Sequence, residues 1–249
     1  MDQPAILAEN SAAEAPVLVL CDHATNRVPD CVNSGSLGIC ADDMNRHIAL
    51  DIGALGVSLH LATALNAPLL ATNFSRLVID PNRGEDDPTL LMKLYDGTII
   101  PANRHADADE KERRLNAFHR PYHRAIAARL DDWQAKRMTP AIISIHSFTP
   151  QLRGRGLRPW QIGVLWDEDA RMARPLIDQL SANPALCIGD NEPYAGSLRG
   201  DTMYFHATLR GLPHVLIEIR NDLIETEAGQ AEWVGVLAPV LSNILKGLA

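Results

Sequence analysis

Apolar residues fall in short blocks along the chain, and the blocks follow two different periods. "APVLVLCDHA" (residues 15–24) is an apolar run that ends in a histidine, His23. "AIISIHSF" (141–148) is a second, with His146 near its end and a break at Thr149-Pro150. Such runs, bounded by turn formers, read as buried strands. "PLLATNF", "RLVID", "QIGVLW" and "HVLIEIR" read the same way. Between them the spacing turns helical. Ile48, Ile52, Leu55, Leu59 and Ala62 predict one helix over residues 42–65, capped by Asp42 or Asp43. Residues 109–137 (despite Pro121), 168–183 and 227–248 predict further helices, while 84–108 and 189–202 are polar loops. Strands alternating with helices imply an α/β protein, a three-layer α/β/α sandwich on a mixed, largely parallel sheet. With 249 residues, a single catalytic domain over 1–249 is expected rather than two small ones. Its acidic, Ala-rich residues 1–15 are expected to be loosely ordered.

Composition narrows the function classes. The formal charge of −8, with no Lys/Arg run, argues against a nucleic-acid partner. No apolar stretch approaches a membrane span. The first residues lack the basic region of a secretory signal, and Cys21, Cys31, Cys40 and Cys187 show no C-x-x-C spacing. Reduced thiols and a cytoplasmic location are therefore expected, without a structural zinc knot.

The polar residues at strand ends carry the chemical signal. In α/β sheets the reactive crevice forms outside the carboxyl ends of the strands. There this chain puts His23, Asp80-Asn82-Arg83, His146 and Glu218. A lone strand histidine is usually structural. Two of them, with a glutamate set between isoleucines where an unpaired carboxylate is costly, suit a water-activating metal site. Neutral imidazoles and a carboxylate hold zinc, and a further carboxylate takes the proton from water. Glu218 fits that last role because apolar neighbours raise its pKa; the bland alternative is a buried carboxylate paired with Arg220 or Arg76. His119 and His123, at helical i, i+4 spacing, suggest either a metal pair or two half-buried rings.

"SIHSF", "DPNR" and the glutamate of "IEIR" resemble the zinc carboxypeptidase and aspartoacylase superfamily. "CDHATNRVP", "HIALDIGA", "SRLVIDPNR", "RPYH", "NEPYAG" and "GLPHVLIEIRNDLI" are similar to the N-formylglutamate amidohydrolase family within it. These motifs run from residue 21 to 224. The resemblance implies a zinc-exopeptidase-like fold, one zinc ion per chain, and a small-molecule N-acyl amino acid as substrate, N-formyl-L-glutamate first. Another N-acyl amino acid, a small peptide, or a metal-free binding protein on the same fold are the alternatives. His23 and His146 are the implied ligands. The third is Asp51 or, at the position where carboxypeptidases carry a glutamate, Asn26. Asn82 and Arg83 suit a two-pronged grip on a carboxylate. Arg76, otherwise an ordinary solvated charge, is the candidate for stabilising the oxyanion. His123, Tyr194 and His206 are the further substrate-binding candidates.

Overall fold

The computed structural model describes residues 3–248. In chain order its strands are β1 (Ile6–Glu9), β2 (Val17–Cys21), β3 (Leu69–Thr72), β4 (Leu94–Tyr95), β5 (Thr98–Ile99), β6 (Ala141–Phe148), β7 (Ile162–Leu165), β8 (Ile188–Asp190) and β9 (His214–Arg220). The helices are α1 (Ala41–Met44), α2 (Ala54–Ala64), α3 (Pro101–Arg104), α4 (Ala108–Arg114), α5 (Arg120–Ala135), α6 (Ala173–Ser181), α7 (Thr202–His206) and α8 (Glu227–Leu248). A seven-stranded sheet has the order β1-β3-β2-β6-β9-β7-β8. Strands β3, β2, β6 and β9 run parallel; β1 and β7 are antiparallel to β3 and β9, and β8 is parallel to β7. The small β4–β5 hairpin stands apart.

Period-two alternation builds the layers. Val19, Ile143, Ile145, Ile217 and Ile219 pack under α2, α6 and α8. Leu18, Leu20, Ile142 and Leu216 point the other way, onto Tyr122, Ile126, Leu130 and Trp133 of α5 and Met203 of α7. The protein is thus the expected three-layer sandwich on a mixed, mostly parallel sheet. Among the described residues no helix is long and apolar enough to cross a membrane, and all four cysteines are free.

Three local expectations are corrected. The helix expected over 42–65 is broken: α1 ends at Met44 and α2 begins at Ala54, with Cys40 rather than Asp42 or Asp43 at the first N-cap. The intervening backbone is held by tertiary bonds instead, the Asp51 amide donating to the His23 carbonyl at 2.9 Å. Gly53 then turns the chain at φ +78°, where a Cβ would lie 2.1 Å from the Ile224 carbonyl oxygen. "RLVID" forms no strand. Leu77, Val78 and Ile79 are buried in a separate apolar cluster with Leu90, Ile100, Leu115 and Phe118. Its carbonyls are satisfied by side chains, Asn103 Nδ2 donating to Leu77 O and Arg114 Nη1 to Val78 O, both at 2.8 Å. Finally, residues 6–9, expected to be loose, form the edge strand β1.

Candidate active site

Alternation also decides which polar side chains meet. Ile145, Ile217 and Ile219 face α2, α6 and α8, so His146 and Glu218 take the opposite face. The parallel register of β6 and β9 sets them side by side. Both lie inside their strands rather than at the ends, since β6 runs on to Phe148 and β9 to Arg220. The chain leaving β2 brings Asp22 to that face, where the Tyr122 hydroxyl of α5 donates to Asp22 Oδ1 at 2.7 Å. His23 follows, and the broken segment between α1 and α2 delivers Asp51.

The result is a buried cluster. Asp51 Oδ2 lies 2.8 Å from His146 Nδ1 and 3.2 Å from His23 Nδ1, with the two rings nearly perpendicular at 5.0 Å between centroids. One ligand atom from each of the three falls within 4.8 Å of the others. The far nitrogens meet further carboxylates: His23 Nε2 bonds Asp80 Oδ1 at 2.7 Å, and His146 Nε2 lies 3.3 Å from Asp22 Oδ2. That is how metal-binding imidazoles are oriented, one nitrogen held by an acid and the other presented inward. Two imidazoles and a carboxylate converging on one point fit a divalent cation. Asn26 does not take part, its amide donating to Met44 O and Asn45 Oδ1. Arg76 is buried, not solvated. It binds Asp80 Oδ2 through Nε and Nη2 and Asp51 Oδ1 through Nη1.

Electrostatics separate the acids. Burial alone would raise Asp51, Asp80 and Asp22. The histidines hold Asp51 below the usual carboxylate range, Arg76 and His23 hold Asp80 below it, and His146 does the same for Asp22. His146 is correspondingly driven above the usual imidazole range, against burial, by Asp22 and Asp51. Glu218 differs. Burial pushes its carboxyl up to about 7, and Oε2 has no hydrogen-bond partner among the described residues. Neither Arg76 nor Arg220 pairs with it, Arg220 being bonded to Asp222.

His23, Asp51, Arg76, His146 and Glu218 open into a cavity of about 370 Å³, also lined by His47, Asn82, Arg83, Tyr194 and Asp201. Asn82 is fixed through Oδ1, which accepts from the Thr202 amide at 2.9 Å. Arg83 donates through Nη1 to the Asn82 carbonyl and through Nε to Thr89 Oγ1. His123 and His206 are not on this wall, contrary to expectation. They stack at 5.1 Å on the far side of the Pro81–Arg83 segment, His123 Nδ1 lying 2.8 Å from His206 Nε2. His123 Nε2 and His119 Nε2 bond the carbonyls of Pro81 and Arg83, both at 2.9 Å. Sequence reasoning missed Asp22 and gave Asp80 no role of its own. The alternation that turned Leu20 toward α5 would have turned Asp22 there too.

The family model for N-formylglutamate amidohydrolase matches residues 15–225. The chain belongs to that family. It is therefore a hydrolase, as the site's chemistry suggests. Its fold superposes on the crystal structure of a gene product from Agrobacterium tumefaciens with a TM-score of 0.93, at 35% identity over 99% of this chain and 96% of that one. An N-formylglutamate amidohydrolase from Ralstonia eutropha is similar with a TM-score of 0.66, at 20% identity over 98% of both chains. No curated protein matches.

Proposed function

We propose that this amidohydrolase hydrolyses the amide bond of an N-acyl amino acid, N-formyl-L-glutamate first among them, releasing formate and L-glutamate, with zinc held by His23, Asp51 and His146. Convergence of those three side chains beside an unpartnered glutamate, inside a cavity over the sheet, carries the reading. Bound there, zinc would polarise the acyl carbonyl and acidify water. Glu218 accepts the proton of the attacking water and passes it to the amide nitrogen as the carbon–nitrogen bond breaks. Asp22 and Asp80 keep the two imidazoles in the tautomer that points Nδ1 inward. Arg76 supports Asp51 and Asp80 and adds positive potential where the acyl oxygen gains charge. Asn82 and Arg83 hold the α-carboxylate; Arg83 Nη2 has no protein acceptor among the described residues and is free for it. His123 and His206 stand behind that clamp and steady it.

A screen of N-acyl amino acids, reading amine and formate release, tests this directly. Turnover of N-formyl-L-glutamate should disappear with a strong chelator and return with zinc. Full activity in protein shown by elemental analysis to be free of metal would remove the metal from the reading. Turnover confined to other acyl groups would replace the substrate.

A further inference from the structure

A doubly charged N-acylglutamate poses a charge problem in this cavity. Its walls already carry Asp51, Asp201 and Glu218. Of the two arginines on them, Arg76 is committed to Asp51 and Asp80, which leaves Arg83 for one carboxylate. The second needs another cation.

Arg158 meets that need. It follows the β6 loop, and its guanidinium lies 5.6 Å from the ring of Phe148 and 5.1 Å from that of Tyr194. Both rings line the cavity, as does Thr149, whose carbonyl accepts from Arg158 Nη1 at 3.0 Å. The backbone amide of Arg158 is tied to Pro150 O at 2.8 Å, so the side chain is presented from a fixed point. Beside that carbonyl the guanidinium hydrogen-bonds the Tyr194 side chain, and among the described residues it meets no carboxylate. Phe148 stands two residues beyond His146 on the same face of β6, roughly 7 Å along the strand. An extended glutamyl side chain spans a comparable length from its amide carbon to its carboxylate. The two rings flank the guanidinium, which Thr149 O and Tyr194 hold at the cavity rim with donors to spare for a planar carboxylate.

We infer that Arg158 is the specificity residue of this site and binds the side-chain carboxylate of an acidic amino-acid substrate. The inference rests on the proposed function for its substrate, but the contact can be read separately. The experiment compares N-formyl-L-glutamate with the isosteric, uncharged N-formyl-L-glutamine as substrates. It also compares L-glutamate with L-glutamine as ligands by calorimetry, in the parent enzyme, Arg158→Gln and Arg158→Lys. Charge-assisted hydrogen bonds of this kind are worth roughly tenfold to a hundredfold in affinity. Arg158→Gln should therefore lower kcat/KM for the glutamate substrate by about that factor, chiefly through KM, and leave the glutamine substrate within about threefold. Arg158→Lys should recover part of the preference. An equal loss on both substrates would mean that Arg158 only pins the 149–158 loop, and would overturn the inference. If N-formyl-L-glutamate is not turned over at all, the functional reading fails, and the binding ratio decides alone. Collapse of the glutamate preference in Arg158→Gln supports the contact; an unchanged ratio, or no preference in the parent, overturns it.

Discussion

Glu218 and Asp51 are both buried carboxylates within one cluster, yet their surroundings assign them opposite duties. Asp51 lies within hydrogen-bond distance of two imidazoles, accepts from a guanidinium and stays charged. Glu218 is 7% exposed, flanked by Ile217 and Ile219, and has one oxygen with no partner among the described residues, so burial raises it to about 7. A group poised near neutrality takes and returns a proton, and one held far below it cannot. Replacing Glu218 by Gln keeps shape and polarity and removes only the proton acceptor. The expected outcome is a fall in kcat of roughly two to four orders of magnitude with zinc stoichiometry unchanged. Steady-state kinetics beside elemental analysis measure both. A fall of less than tenfold would leave Glu218 a structural residue.

The element that brings Asp51 to the cluster is the one the apolar pattern describes least well. Strands β2, β6 and β9 are legible because apolar runs of five to eight residues, rich in Val and Ile and bounded by turn formers, are too short for a buried helix, and His23, His146 and Glu218 stand out as polar residues set against those runs. Between α1 and α2, Ile48, Ile52 and Leu55 satisfy helical spacing, and nothing local reveals that Asp51 N will find His23 O instead. "RLVID" misleads for the same kind of reason. An apolar run is buried either in a sheet or in a cluster whose polar needs are met by distant side chains, here Asn103 and Arg114. Arg76 is tolerated in a buried place because Asp51 and Asp80, distant or unremarkable in the sequence pattern, pair with it. Gly53 offers a test of the break. A methyl group there meets the Ile224 carbonyl at 2.1 Å, on a backbone at φ +78° that L-residues rarely adopt. Gly53→Ala should cost about 1–3 kcal/mol in urea unfolding. It should also weaken zinc binding, since Asp51 lies two residues away. Unchanged zinc affinity in a destabilised variant would separate the turn from the placement of Asp51.

At the scale of the whole molecule, the sheet carries an excess of buried negative charge at its centre. Asp22, Asp51, Asp80 and Glu218 surround one guanidinium, Arg76, and two imidazoles, His23 and His146. Desolvated carboxylates are tolerated only when paired, and here His146 is driven above the ordinary imidazole range to help pair them. A divalent cation between the two Nδ1 atoms and Asp51 would take over from those protons and bring the core closer to neutrality. Because the cluster joins β2, β6 and the α1–α2 segment, this site exists only in the folded chain. The cation's binding energy then adds to stability by mass action, about 2.7 kcal/mol at a hundredfold excess over Kd. For a domain of this size that corresponds to roughly 5–10 °C in Tm. Zinc added to chelator-treated protein should raise Tm by up to that amount, read by calorimetry without substrate. The exposed cysteines Cys31, Cys40 and Cys187 offer zinc a competing foothold on the unfolded chain, which works against the shift. His146→Ala supplies the decisive control, because it removes one imidazole and leaves those thiols in place. The zinc-dependent rise should vanish in that variant. A rise of equal size in His146→Ala, or none in the parent protein, would show that the cluster is held together by protons and Arg76 alone.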